Sequence, residues 1–457
     1  MLSPDALRAL AHELLSLVAA DTMFVQMDHT AIGATRVARG RVRMQESGDR
    51  LRVLLRTRLG QRAEVQLHVD QIDPASLGPL ARYLDRLARE QVNQVAPVMV
   101  KPIVPRTYLP NTTWYASTAA AFNDARHAVV APLVTPVLDA GFLASAFVGV
   151  LTRTIACADK RGVMAAAQET DSELVVTGWT NDGKGAGWAG QAARDWNVIN
   201  PGAIAERAIH FTRLSANPVA FEPGRYVVIL DRPAVAQLVK KMGQEFDARS
   251  AFSGDSPLSD PATRRPHLNE RIMDPRITLS SDPKDPEGGL IPFDDLGYPV
   301  RPMTWIDRGV LTNLAYDADF AVSVGYANAN PWPRALRMDN ASRGGPSTVE
   351  EMIANCKRGI YVNRFAAVHG VEVSGMFTGV TQGGCFLVRN GKIEKPIKNL
   401  RFRESPWFAF NRVEAIGATE RTAFGYSPSL GDWPIAPTIV PPMMIRDFNF
   451  TALADAI

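Results

Sequence analysis

The sequence has few cysteines and no long apolar run. Three of its 457 residues are cysteines, Cys157, Cys356 and Cys385, and they stand far apart without a Cys-x-x-Cys pair. This number excludes a disulfide framework and favours buried free thiols in a reducing cytoplasm. No stretch reaches the roughly 18 consecutive apolar residues that a membrane span needs. We therefore expect a soluble, cytoplasmic protein with no membrane partner.

An excess of charge of either sign is also missing. Fifty basic and 47 acidic residues leave a formal net charge of +3. This balance gives no support to nucleic acid as a partner. A basic cluster near the end of the chain is predicted to be a solvated face, and it consists of Lys392, Lys395, Lys398, Arg401 and Arg403.

The apolar run near the N-terminus belongs to a helix. Ser3 and Pro4 are a helix cap and a first-turn proline, and charged residues interrupt the run from Leu14 to Ala20 on its N-terminal side. We predict an amphipathic helix here, and not a signal peptide.

Paired metal ligands are absent from the histidine pattern. The seven histidines are never closer than 17 positions, so no HxH, HxxxH or HExxH pair exists. A site assembled from distant residues such as His267, His369 or Cys385 stays open.

Two further motifs have plainer explanations. Gly185 to Gly190 fits GxGxxG, but Trp188 crowds the turn and no second strand with a terminal acid follows, so we predict a glycine-rich loop and no dinucleotide site. Asp294 and Asp295 form a possible acid/base pair, but a Phe-Asp-Asp-x-Gly run is typical of a turn. No Gly-x-Ser-x-Gly nucleophile elbow is present.

Periodicity and turn residues predict the other elements. We expect four or five short antiparallel strands over residues 24–68, and a helix from Pro74 to about Val92. Four prolines in 95–113 predict an extended connection, and Ser117 is expected to cap a helix to Ala140 that kinks at Pro132 and Pro136.

The next elements are predicted in the same way. Strands over 142–177 should turn at residues 160–162 and 170–172, and a helix should run from Pro201 to about Ser215. Residues 250–254 and 281–289 are loop-like in composition.

Turn and cap residues also mark the C-terminal part. Residues 307–309 and 389–391 are typical hairpin turns, and Ser347 to Glu350 is a capping box for a helix to about Arg358.

Residues 222–246 contain the most informative stretch. Tyr226 to Leu230 predicts a buried strand, and Asp231 and Pro233 predict a helix that starts near Arg232. One apolar stripe recurs at three- and four-residue steps, and it contains Val235, Leu238, Val239, Met242 and Phe246. The opposite, polar face is the expected place for chemistry, and it contains Gln237, Lys240, Lys241, Gln244 and Glu245.

This stretch resembles the TldD/PmbA family of metallopeptidase-type proteins, whose metal-binding members have HExxxH on this helix. Five further segments follow in the order of the family's C-terminal domain, and they are residues 292–300, 305–311, 337–340, 359–362 and 383–396. The resemblance places Lys240, Lys241 and Glu245 where those members have His, Glu and His. It places the family's last metal ligand, a cysteine, near Phe424 in a segment without cysteine.

The resemblance implies an α+β fold with an N-terminal domain over residues 1–218 and a C-terminal domain over 219–457. It implies a metal-free, TldE/PmbA-like subunit with no catalytic residue and no cofactor of its own. The partner would be a TldD-like zinc subunit in a heterodimer, or a second copy, and the substrate would be an unfolded peptide.

Two alternatives stay open. One is a stand-alone biosynthetic enzyme with altered chemistry on the same scaffold, for which Lys240, Asp294, Asp295 and His369 are candidates. The other is a homodimeric peptide-binding protein without catalysis. Arg337 and Asn340 are further candidates for the cavity wall because they lie in one of the family's ordered segments.

Overall fold

The computed structural model shows an α+β chain built around three sheets. It describes residues 1–18, 22–59, 63–69, 73–91, 107–289, 291–294, 297–325, 330–341, 345–371, 375–424 and 437–454. Most of the predicted connection at 95–113, together with Asp295, lies outside the described residues.

The N-terminal half contains one sheet and its covering helices. In chain order its elements are α1 (Pro4–Ser16), β1 (Thr22–Ala38), β2 (Arg41–Leu59), β3 (Ala63–Val69), α2 (Leu77–Gln91), α3 (Ala116–Ala120), α4 (Asp124–Ala128), α5 (Val130–Asp139), β4 (Leu143–Asp159), β5 (Met164–Trp179), β6 (Ala186–Ala193) and α6 (Pro201–Leu214). The six strands are antiparallel in the order β3-β2-β1-β4-β5-β6.

Long strands replace the short ones that we predicted. Residues 24–68 form two long strands and most of a third, because the turn residues Gly33 and Gly48 pair across β1 and β2 and do not end them. Residues 170–172 likewise lie inside β5. In each case cross-strand pairing overrides the local turn preference. The predicted turn at residues 160–162 is confirmed between β4 and β5.

The two faces of this sheet have different neighbours. Alternate residues point to opposite faces. Along β4, Ala144, Ala146 and Val148 pack with the helices, whereas Phe147 and Ile155 pack in clusters that include residues of the C-terminal half. One face is thus covered by helices, and the other by the rest of the chain.

The segment after Tyr115 differs from its prediction. Its first half breaks into α3 and α4, Tyr115 replaces Ser117 as the cap, and α5 continues through Pro136. Pro132 lies in the first turn of α5, where a missing N–H costs nothing.

The glycine-rich segment is also a strand. Residues 186–193 form β6, so the predicted loop was wrong, and α6 lies directly against it. A Cβ added to Gly187 would come within 2.2 Å of the Thr212 nitrogen and 2.5 Å of the Ala208 oxygen. Glycine is therefore required for the contact between helix and strand, and a nucleotide does not explain it.

The C-terminal half contains the other two sheets. Its elements are β7 (Gly224–Leu230), α7 (Arg232–Met242), α8 (Ala248–Ser253), β8 (Ile277–Ser281), β9 (Met303–Asp307), β10 (Val310–Leu311), α9 (Ala318–Ser323), β11 (Leu336–Asn340), α10 (Val349–Asn355), β12 (Arg358–Gly370), β13 (Phe377–Arg389), β14 (Lys392–Pro396), β15 (Leu400–Glu404), α11 (Pro406–Ala409), β16 (Val413–Ile416), β17 (Glu420–Arg421), β18 (Thr438–Val440) and β19 (Met443–Leu453).

Five strands of the larger sheet close into a ring. The order is β12-β7-β19-β15-β13, and β13 pairs back with β12. β14 and β16 attach to β13 and β19 respectively. The remaining sheet has the order β10-β9-β8-β11-β18-β17. Helix α7 packs against β12 and β18, between these two sheets.

Several local predictions in this half are confirmed. Both hairpin turns have positive φ at two successive residues, 44° and 79° at Arg308 and Gly309, and 48° and 78° at Asn390 and Gly391. The three cysteines are buried free thiols. The basic residues at 392–403 are exposed, and residues 281–289 are irregular after Ser281.

Two predictions here were wrong in detail. Residues 248–253 form α8, with Gly254 as its left-handed cap, although we predicted a loop at 250–254. The capping box pairs Thr348 with Glu351, one residue later than predicted. Its helix ends at Asn355 because the next residues enter β12.

Within the described ranges, no helix has the length and apolar character needed to cross a bilayer. The predicted division between residues 218 and 219 stays a prediction.

Candidate functional site

Helix α7 is held in place by a central strand and a strong cap. β7 lies between β12 and β19, and the chain turns from its end directly into the helix. The Asp231 carboxylate accepts a hydrogen bond from the Arg232 nitrogen and pairs with the Arg207 guanidinium. The Tyr361 hydroxyl donates to the same carboxylate at 2.5 Å.

The predicted apolar stripe is confirmed, and the buried face is wider than expected. Val235, Leu238, Val239, Met242 and Phe246 are all at most 1% exposed. Gln237, which we placed on the polar face, is 3% exposed and thus belongs to the buried part. The polar face is therefore limited to the end of the helix and the turn after it.

Lys240 lies in the last turn of α7 and is half-buried. Its ammonium lies over the Phe424 ring, 4.8 Å from the ring centroid. The pKa of Lys240 is lowered to about 8, chiefly by burial and then by the positive charge of Lys241, while the Glu173 carboxylate opposes the change. An amine with this pKa is partly neutral near physiological pH.

Phe424 joins this helix to the N-terminal sheet. Its ring is buried, and its backbone nitrogen donates to the Glu173 carboxylate at 3.2 Å. Glu173 is 4% exposed and comes from β5. Glu173 was not among the predicted site residues, although a single acid beside the apolar run Leu174 to Val176 was a usable signal.

Lys241 and Glu245 complete the site. Both side chains are half-buried, and burial raises the pKa of Glu245. The last residue of α7 is Met242, so Glu245 lies in a following 3-10 turn. The candidate site therefore contains two amines, two carboxyl groups and one aromatic ring.

Ion pairs beside this site connect the two halves of the chain. The Arg421 guanidinium pairs with the Asp171 carboxylate at 2.5 Å, and both side chains are about as buried as the core. The Arg194 guanidinium donates to the Gly289 carbonyl. We call residues 171–173 of β5 and 421–424 the seam.

The other candidate residues each have different hydrogen-bond partners. The Asp294 carboxylate accepts from the Tyr298 nitrogen at 2.8 Å, which confirms the turn. The Arg337 guanidinium bonds to Asp339 and Asp285, and the Asn340 amide donates to the Ile416 carbonyl.

His369 is exposed at the end of β12, and its ring bonds to the Ala367 carbonyl. Among the residues that the structure describes, no three His, Cys, Asp or Glu side chains are arranged to hold a metal ion.

Comparison with known proteins identifies the class and then the family. Residues 223–452 match the family model for the PmbA/TldA metallopeptidase C-terminal domain, so this is a protein of the metallopeptidase type. The match spans half of the chain, and the chain belongs to the TldD/PmbA family.

Two curated relatives are similar over part of their length. A metalloprotease of Archaeoglobus fulgidus is 24% identical over 191 residues, which is 40% of this chain and 43% of that protein. A metalloprotease of Methanothermobacter thermautotrophicus is 22% identical over 234 residues, which is 50% of this chain and 49% of that protein. The matched part is thus under half of either relative.

A solved structure agrees over the whole chain. TldE from Thermococcus kodakarensis superposes with a TM-score of 0.81 at 16% identity, covering 98% of this chain and 100% of that one. At this identity the likeness concerns the fold, and it confirms the predicted α+β class.

Proposed function

We propose that this chain is the non-catalytic, TldE/PmbA-like subunit of a zinc metallopeptidase that cleaves or matures unfolded peptides. One observation carries the proposal. The family resemblance separately placed a histidine position at Lys240 and the cysteine position near Phe424, and these two residues lie in contact although they are 184 positions apart. Counterparts of one metal site would meet in this way.

The chemistry of these residues argues against metal at this position. A charged lysine repels a dication, and a phenylalanine ring offers no lone pair to zinc. The contact between ammonium and ring instead stabilises the cation, since the face of the ring carries partial negative charge. In this proposal a TldD-like partner would hold the zinc, which would supply Lewis-acid chemistry for cleavage of the peptide bond.

The role of this chain is then to complete the chamber and to hold peptide. An extended peptide can add to the free edge of a sheet through main-chain hydrogen bonds. In the described part of the chain, β14 is a short strand at such an edge.

The test is a mixing experiment with the TldD-like chain of the same genome. We expect the two proteins to elute together from a size-exclusion column, and we expect cleavage of an unstructured peptide to rise at least tenfold over either protein alone. A TldD-like variant with Gln in place of its motif glutamate should form the same complex without cleavage. Separate elution together with unchanged cleavage would refute the proposal.

A second function is favoured by the lowered pKa of Lys240. A partly neutral amine can act as a base or a nucleophile, as a stand-alone biosynthetic enzyme would require. Turnover of any substrate by the purified chain alone, lost in Lys240→Met, would support this alternative. A symmetric dimer that binds peptide without turnover would support the homodimeric peptide-binding protein.

A further inference from the structure

A cavity of about 400 Å³ lies between the two halves, lined by residues other than those of the Lys240 site. The turn before β6 forms one wall, and residues 383–385 of β13 form another. Residues 396–399 and Ala454 close the remaining sides. Its volume is within the range of roughly 300–1,000 Å³ that is typical of small-molecule pockets.

Glycines shape the walls. Gly383 and Gly384 have φ values of 66° and 130°, and a Cβ on Gly383 would lie 2.6 Å from the Trp188 Cβ. In the opposite wall, a Cβ on Gly185 would lie 2.4 Å from the Ser215 oxygen. Side chains are excluded here, so the backbone itself faces the cavity.

The β12–β13 ladder is interrupted at this wall. Val362 pairs with Cys385 and Arg364 pairs with Gln382, so Gly383 and Gly384 have no partner in this register. A bulge of this kind leaves main-chain polar groups unpaired. The Gly383 carbonyl accepts a hydrogen bond from the side-chain amide of Asn363, which lies opposite the interruption on β12.

The wall contains one buried hydroxyl group. Ser215 is 6% exposed, and its hydroxyl has no hydrogen-bond partner among the residues that the structure describes. Cys385 adds no negative charge, because burial raises its pKa to about 12.

Three charged residues line the cavity, and two of them are lysines. Lys184 and Lys398 are exposed members of the lining. Lys184 lies 3.9 Å from Asp182, a distant pairing, and Asp182 already accepts from the Thr180 hydroxyl and the Lys184 nitrogen. The described residues provide no carboxylate within ion-pair distance of Lys398. Pro218, Ile397 and Ala454 supply apolar surface.

We propose that this cavity binds the carboxyl-terminal end of a short peptide. The carboxylate would lie between Lys184 and Lys398, the peptide main chain would pair with the interrupted strand at Gly383 and Gly384, and the side chains would contact Pro218 and Ile397. Main-chain pairing and an anionic end together favour a peptide acid over an inorganic anion, which would leave the apolar walls empty.

The test is calorimetric titration of the full chain with acetyl-trialanine acid and with its carboxyl-terminal amide. We expect the acid to bind with a dissociation constant below about 1 mM and the amide to bind at least tenfold more weakly. No heat with the acid, or equal binding of acid and amide, would overturn the proposal.

Two double variants that remove the same charge test whether the peptide binds in this cavity. Lys184→Gln/Lys398→Gln should weaken binding of the acid at least tenfold, whereas Lys357→Gln/Lys392→Gln removes the same charge from exposed positions outside the cavity and should leave binding unchanged. Ala454→Leu, which fills the cavity, should also weaken binding.

Equal effects of the two double variants would refute the site. Thermal unfolding of each variant checks the fold. The binding is measured on this chain alone, so its failure would leave the proposed pairing with a zinc subunit untouched.

Discussion

Lys240 illustrates how one side chain responds to a neighbour that is distant in sequence. Its position on α7 follows from local signals that the sequence displays, namely the Asp231 cap and the three- and four-residue stripe. Its contacts with Phe424 and its interaction with Glu173 do not follow from them, because they depend on how three distant segments pack. The lysine was therefore predictable as a candidate, and its altered pKa was not.

We predict that stability depends on the ionisation of Lys240. Its pKa of about 8 in the folded protein lies below the ordinary lysine value of 10.5, so the folded state disfavours the charged form. The free-energy cost of keeping Lys240 charged in the folded state is greatest below pH 8. It decreases as the pH rises, because the unfolded chain then binds more protons than the folded chain, and it is absent above pH 10.5. Relative to the natural chain, Lys240→Met should therefore increase the free energy of unfolding most at pH 7, and this increase should become smaller between pH 8 and 10.5.

Urea denaturation at pH 7, 9 and 10.5 measures this difference. The control is Lys392→Met at an exposed position, whose effect should be flat over the same range. A flat profile for Lys240→Met would contradict the prediction.

A second prediction tests the assignment of the metal positions. The combined variant Lys240→His/Lys241→Glu/Glu245→His/Phe424→Cys would supply two imidazoles and a thiolate, which are ligands that zinc accepts and are three in number, as in catalytic zinc sites. We expect zinc to rise from near zero in the natural chain to about one ion per chain, measured by elemental mass spectrometry without chelators. The single variant Phe424→Cys should stay near zero. Zinc in the natural chain, or none in a folded combined variant, would show the assignment to be wrong.

Among the helices and strands, too, some features were predictable from local sequence signals and others were not. The helix and its strand were predictable because cap, proline and stripe all lie within a few residues of one another. By contrast, β1 and β2 were predicted as short strands because their glycines suggested turns. A single sequence shows the glycine, but it does not show the partner strand that keeps the backbone extended at that residue.

The cap of α7 is predicted to stabilise the fold. Asp231→Ala removes the acceptor for the Arg232 nitrogen and for the Tyr361 hydroxyl, which is buried and would be left without it. We expect a loss of about 2–3 kcal/mol in the free energy of unfolding.

Tyr361→Phe provides the comparison. It removes one hydrogen bond and keeps the cap, so we expect a loss of about 1 kcal/mol. Urea denaturation measures both variants. An equal loss for the two would show that the cap contributes nothing.

The seam connects the halves at the level of the whole molecule. Asp171 and Glu173 of the N-terminal sheet bond to Arg421 and Phe424, about 250 residues later. No sequence periodicity indicates a contact over such a separation, so residues 170–172 were predicted as a turn and neither acid was predicted to lie in a contact between the halves. The family resemblance indicated the helix and the Phe424 segment, whereas Asp171 and Glu173 were identified from the structure.

We predict that the seam depends on the Arg421–Asp171 pair. Arg421→Met leaves the Asp171 carboxylate buried without its main partner, and we expect a loss of about 3 kcal/mol in the free energy of unfolding. Arg446→Met removes an arginine from an exposed pair with Glu414 and should cost under about 1 kcal/mol. Urea denaturation again provides the measurement, and similar losses for the two variants would contradict the prediction.

The closed ring of five strands has a consequence for synthesis. Its first strand, β7, and its last, β19, are neighbours, although more than 200 residues separate them along the chain. β19 also separates β7 from β15, so the ring stays open on the ribosome until residues 443–453 have emerged. Until then a nascent chain exposes two bare strand edges, which other chains can pair with. A stop codon just before β19 would therefore produce a chain prone to aggregate, even though the Lys240 helix and its cap were complete long before.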